Sequence, residues 1–135
     1  MTPVADIPAA LRDAILAGPG LPELLAERVY PGQAPQNAAR PYIVYGQISK
    51  DPDLHHGGRG DCDRDLYDVH CVSDGYAEAK RMARLVDAAM DPATMVSPVI
   101  GAALLQDEYD QSEPAGTGGD DRIHTVILQF AIWPK

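Results

Sequence analysis

Residues 65–90 read DLYDVHCVSDGYAEAKRMARLVDAAM, and the fold is decided inside this stretch, where the hydrophobic period changes from that of a strand to that of a helix. Over DLYDVHCV, Tyr67, Val69 and Cys71 alternate with Asp68 and His70. That is the pattern of a strand with one face on a core and the other in water. From Tyr76 to Met90, the residues Tyr76, Ala79, Met82, Ala83, Val86, Ala89 and Met90 recur at helical spacing. Glu78, Lys80, Arg81, Arg84 and Asp87 lie outside that stripe. Ser73 or Asp74 supplies the side-chain acceptor that a helix start favours. Asp91-Pro92 stops the helix, because proline cannot continue the ladder and restricts the residue before it.

The flanking segments complete the pattern. Upstream, residues 41–49 (PYIVYGQIS) form a strand, with Tyr42, Val44 and Ile48 on one face and Ile43 and Tyr45 on the other. Proline at its first position leaves the ladder intact. This strand and residues 65–72 pair as an antiparallel hairpin across a long connection. Residues 5–17 read as an amphipathic helix through Ile7, Leu11, Ala14 and Ile15, stopped by Gly18-Pro19-Gly20. A short turn over Leu21 to Arg28 sets Leu21, Leu24 and Leu25 on one side, and residues 31–40 are a polar connector. Downstream, residues 99–109 form a third strand. Residues 122–133 (RIHTVILQFAIW) form the last, with Val126, Leu128, Phe130 and Ile132 on one face. Ile123, Thr125, Ile127, Ala131 and Trp133 on its other face mark it as covered on both sides. The expectation is an α+β domain over residues 1–135, with two main helices packed on a mostly antiparallel four-stranded sheet. The element order is α-β-β-α-β-β, with long loops at 50–64 and 110–121.

At 135 residues with 45% hydrophobic and 23% charged residues, the chain has the size and composition of a single folded domain. No apolar run has the length of a membrane span, and the N-terminus lacks the features of a secretory signal, so a soluble, non-secreted protein is expected. The balance of 11 basic and 20 acidic residues gives a net charge of −9, with no Lys/Arg run, which excludes phosphate-driven nucleic-acid binding. Cys62 and Cys71 cannot build a disulfide framework and read as free thiols. Residues 107–121 (DEYDQSEPAGTGGDD) carry six acidic residues and no base, and are expected to form a mobile acidic loop.

Candidate chemistry is thin. His55, His56, Asp61, Cys62 and Asp63 share one loop, and imidazole, thiolate and carboxylate together suit zinc. Their spacing does not, since adjacent histidines rarely reach one ion, and a solvated polar loop is the stronger reading. His70 and Cys71 point to opposite faces of a strand and cannot act together, and an inward Cys71 is an inert core thiol even with His124 in the chain. No nucleophile elbow, P-loop, dinucleotide fingerprint or zinc-protease motif occurs. Arg59-Gly60-Asp61 spells an adhesion tripeptide of chance frequency. No catalytic, cofactor or metal residue is assigned, and an enzyme is not expected.

The order of these pieces resembles the tail completion or tail terminator family of long-tailed phages and gene transfer agents. The resemblance is carried by AALRDAILAGPGLPELLAERVYPGQAP (residues 9–35), ARPYIVYG (39–46), LYDVHCVS (66–73), YAEAKRMARLVDAAM (76–90) and the closing apolar strand. Its most specific part is Arg28-Val29-Tyr30 and Ala34-Pro35 leading into Pro41-Tyr42-Ile43-Val44-Tyr45-Gly46. The resemblance implies a structural virion protein of the tail and neck, assembled in the host cytoplasm. It implies a homo-hexameric ring that ends the tail tube at its head-proximal end and joins it to the neck. The implied partners are the tail tube protein and a neck or stopper protein, with DNA passing through unbound and no membrane or cofactor involved. Within that picture, Asp53, Leu54, His55, His56, Arg59, Asp61 and Asp63 are the candidate docking loop for tube or neck. Asp107, Glu108, Asp110, Glu113, Asp120 and Asp121 are candidates to face the channel, where they repel phosphates. The alternatives are a head-completion or stopper protein, an unrelated acidic interaction domain, or a small metal-dependent enzyme using the 55–63 loop.

Overall fold

The computed structural model describes residues 7–36, 38–51, 54–55, 58–59, 64–91, 100–114 and 122–134. Its elements are α1 (Ile7–Ala17), α2 (Leu21–Leu25), β1 (Val29–Pro31), β2 (Tyr42–Asp51), β3 (Leu54–His55), β4 (Gly58–Arg59), β5 (Arg64–Ser73), α3 (Tyr76–Ala89), β6 (Ile100–Pro114) and β7 (Arg122–Pro134). The main sheet has five strands in the order β1-β2-β5-β7-β6, and β3-β4 is a separate two-stranded ladder. The β2–β5, β5–β7 and β6–β7 pairings are antiparallel. Among the described strands only β1–β2 runs parallel, with Val29 opposite Ile43 and Pro31 opposite Tyr45.

The α+β class and the mostly antiparallel sheet follow the sequence reading, and three details are corrected. The sheet has five strands rather than four, because Val29–Pro31 joins it. The Ile43 N–H donates to the Arg28 carbonyl at 2.9 Å and the Gly32 N–H to Tyr45 at 2.7 Å, and Arg28 Nε donates to the Pro41 carbonyl at 2.9 Å. A three-residue strand is too short to display a period. The expected order α-β-β-α-β-β thus lacks α2 as a helix of its own and β1. The loop set at 50–64 is also shorter, since β2 runs to Asp51, β5 starts at Arg64, and β3 and β4 pair between them.

One face of the sheet carries the helices. Tyr67, Val69 and Cys71 of β5 and Val126, Leu128, Phe130 and Ile132 of β7 are buried there with Ile43 and Tyr45 of β2. Leu11 and Ile15 of α1, Leu21 and Leu25 of α2, and Met82, Ala83 and Val86 of α3 close the core from above. Burial on this scale supplies most of the driving force for the fold, at about 25 cal/mol per Å². The end of α1 lies so close to α3 that a Cβ on Gly18 would stand 2.6 Å from the Ala89 Cβ. Gly20 (φ 86°) starts α2 in the left-handed region, which glycine adopts without penalty. Cys71 is fully buried, and loss of hydration pushes its thiol pKa far up, as expected of an inert core cysteine.

The N-terminus of α3 departs from the simple cap that was expected. Gly75 is the capping residue, and Ser73 Oγ accepts its N–H at 3.2 Å while donating to Glu78 at 2.5 Å. Asp74 instead accepts from Arg40 Nε at 2.5 Å. Tyr76 is not part of the buried stripe: it is 48% exposed. The reason for its exposure lies in β6.

Candidate functional site

β6 is expected to end at residue 109 and to give way to an acidic loop, yet it continues in register with β7 to Pro114, opposite Arg122. Asp107, Glu108, Asp110 and Glu113 are therefore strand residues, and the loop set at 110–121 loses its first five positions. A register irregularity between Leu105 and Asp107 fixes which way they face. Before it, Ala103 and Leu105 pack toward the helices, opposite Ile132 and Phe130. The extra residue shifts the phase, so that Glu108, Asp110 and Ser112, opposite Leu128, Val126 and His124, take over the helix-facing positions. Asp107, Tyr109, Gln111 and Glu113 are left on the helix-free face.

On the helix side the carboxylates meet cations from α3. Arg84 Nη1 and Nη2 each donate to one oxygen of Glu108 at 3.1 Å, a two-pronged pairing, and Lys80 Nζ reaches the same carboxylate at 3.4 Å. Lys80 also pairs with Asp110 Oδ1 at 2.8 Å, and the Tyr76 hydroxyl donates to Asp110 Oδ2 at 2.7 Å. The Tyr76 ring stands edge-on to His124 at 5.7 Å with Lys80 Nζ 5.6 Å from its centroid. Hydrogen bonds from Lys80 and Tyr76 hold the Asp110 carboxyl below its ordinary pKa, and the same carboxylate raises those of Lys80 and Tyr76. Tyr76 thus sits outside the core because its hydroxyl belongs to this network.

The opposite face carries no helix among the described residues. Ile48, Leu104 and Tyr109, at 49%, 56% and 38% exposure, lie on it or at its rim. Tyr42, Val44, Asp68, His70, Val72 and Thr125 are among the residues lining an open concavity of about 580 Å³ there. Burial raises the Asp68 carboxyl pKa, partly offset by His70, whose Nε2 lies 3.7 Å from it. Ile127 and Ala131 of β7 are buried on this face, as the apolar alternation of the last strand requires.

The acidic candidates divide accordingly. Glu108 and Asp110 are neutralised by α3, Asp107 and Glu113 are exposed on the other face, and Asp120 and Asp121 lie outside the described residues. Of the docking-loop candidates, Leu54 and His55 form β3 and Arg59 belongs to β4, with Leu54 opposite Arg59. Asp53, His56, Asp61 and Asp63 lie outside the described residues. Among the described residues no three His, Cys, Asp or Glu side chains converge on a common point. The residues that the sequence reading missed are Lys80 and Arg84, set outside the helix stripe with no partner assigned, and Tyr76, set within the apolar stripe.

Comparison with known proteins adds three findings. The model of a family described as "Tail completion protein gp17" matches residues 9–134. No curated protein matches the chain. Among solved structures, a chain from the virion of a native gene transfer agent particle shares the fold at a TM-score of 0.72 and 19% identity, over 95% of this chain and 93% of that one. A second solved chain matches at a TM-score of 0.52 and 22% identity, over 94% and 89%.

Proposed function

Because the chain belongs to the tail completion protein gp17 family, we propose that it forms a ring of six copies that ends a phage-type tail tube at its head-proximal end and joins it to the neck. The family match over residues 9–134 is the observation that carries this reading. The fold shared with a chain of a gene transfer agent virion is consistent with a place in such a particle. Closed rings use head-to-tail contacts, which need two different surfaces on each copy. The described residues offer two unlike faces of the sheet, one that carries the helices and one that carries none. No helix among the described residues is long and apolar enough to cross a membrane. The chain acts as a building block rather than a catalyst in this reading, and DNA passes through the ring unbound.

Light scattering across concentration, with and without the tail tube protein, tests the ring. A species of about 87 kDa, six times 14.5 kDa, alone or only with the tube, supports it. A monomer indifferent to tube protein favours a stopper on the portal side of the neck. The docking role of the 50–64 segment is tested by deleting residues 52–62. The shortened chain should fold and fail in head–tail joining, and a normal particle yield refutes that role.

A further inference from the structure

β6 is the terminal strand of the main sheet, and no described strand pairs with its far side. It is 15 residues long. From Ala103 to Pro114 this edge presents a row of backbone donors and acceptors ready for a further strand. The side chains along it point to one kind of occupant. Leu104 and Tyr109 are exposed on the helix-free side, where an added strand would cover them. Asp107 and Glu113, on that same side, have no cationic partner among the described residues, whereas Glu108 and Asp110 are already neutralised by Lys80 and Arg84.

We infer that the free edge of β6 accepts an extended segment of a different protein, one that alternates apolar residues with lysine or arginine. A second copy of this chain is a poor occupant. Two β6 edges side by side would set carboxylates against carboxylates, and the opposite edge of the sheet, β1, offers only three residues. The acidic residues thus do two things: they block self-pairing, and they select a basic strand. This assignment is exclusive of a channel-lining role for Asp107 and Glu113. Leu104 and Tyr109 gain nothing facing a water-filled conduit, and they gain burial beneath a strand. The inference deepens the assembly reading above by giving the chemistry of one partner contact.

The test uses the full chain and two short synthetic peptides, one alternating lysine with valine and one alternating glutamate with valine, with hydrogen exchange as the readout. The lysine peptide should slow exchange of amides within 104–113 by about tenfold, and the glutamate peptide should leave them unchanged. The double variant Asp107→Lys with Glu113→Lys should weaken the lysine peptide about fivefold to tenfold and favour the glutamate peptide. Both residues are exposed strand positions, so thermal unfolding checks that the variant stays folded. Protection confined to other elements, or equal effects of the two peptides, overturns the inference. The ring reading stands or falls separately on the mass of the complex with tube protein.

Discussion

The two-pronged contact between Arg84 and Glu108 should be a measurable source of stability, and a double-mutant cycle with Arg84→Met and Glu108→Gln isolates it. Arg84 is 61% exposed along its side chain and Glu108 19%, so the pair lies between a surface bridge and a buried one. Exposed pairs contribute about 0.2–1 kcal/mol. Both N–H···O distances are 3.1 Å on a mostly buried carboxylate, which places this pair near the upper end. The expected coupling energy is about 0.5–1 kcal/mol. The single variants should differ. Arg84→Met leaves Lys80 at 3.4 Å from Glu108, so the carboxylate is not stranded. Glu108→Gln weakens both cationic contacts at once and should cost about 1–1.5 kcal/mol, or about 3–6 °C in Tm for a chain of this size. Urea unfolding followed by circular dichroism gives all four corners of the cycle. Raising salt to about 0.5 M should reduce the coupling by roughly half, because the guanidinium is largely in water. A coupling below about 0.2 kcal/mol, or one insensitive to salt, refutes the view that this pair holds the distal half of β6 against α3.

Three further outcomes are expected. Gly18→Val places a Cβ 2.6 Å from the Ala89 Cβ, so α1 and α3 must separate, and the urea midpoint should fall by the equivalent of about 1–3 kcal/mol. An unchanged midpoint would show that the two helix ends are free to part. The Asp110 carboxyl is held below its ordinary value of 3.8, so its contribution is present above about pH 4 and is lost as pH falls through the lower folded-state pKa. In Asp110→Asn the acid limb of the stability–pH curve should accordingly be shallower in that window, and an identical limb rules out its pairing with Lys80 and Tyr76. Finally, in a Cys62→Ser background, Cys71 should resist a thiol reagent until the chain unfolds, because it is fully buried. Rapid labelling of the native protein would show that the core opens at β5.

What the sequence discloses about this fold depends on where the energy of each element comes from. Residues 65–90 are readable because burial against one core imposes the period: Tyr67, Val69 and Cys71 on β5 and Met82, Ala83 and Val86 on α3 are all buried. β1 is unreadable for the opposite reason, since only Val29 of its three residues is buried and its place is set by hydrogen bonds to β2. The distal half of β6 is the instructive case. Its run of Asp, Glu, Gln, Ser and Pro has low strand propensity, and residues 111–114 are exposed. It is a strand because β7 supplies a ladder along its length and α3 removes the repulsion between alternate carboxylates.

A signal for that pairing was present in the residue spacing. Lys80 and Arg84 stand four apart on a helix, about 6 Å along its axis, and Glu108 and Asp110 stand two apart on a strand, about 6.6 Å along it. Two cations and two carboxylates with nearly equal spacing can meet in register wherever such a helix lies along such a strand. Reading the acidic segment for total charge conceals this, because neutralised and exposed carboxylates count alike. Reading it for alternation separates Glu108 and Asp110, which fasten the strand to α3, from Asp107 and Glu113, whose charge remains for a partner.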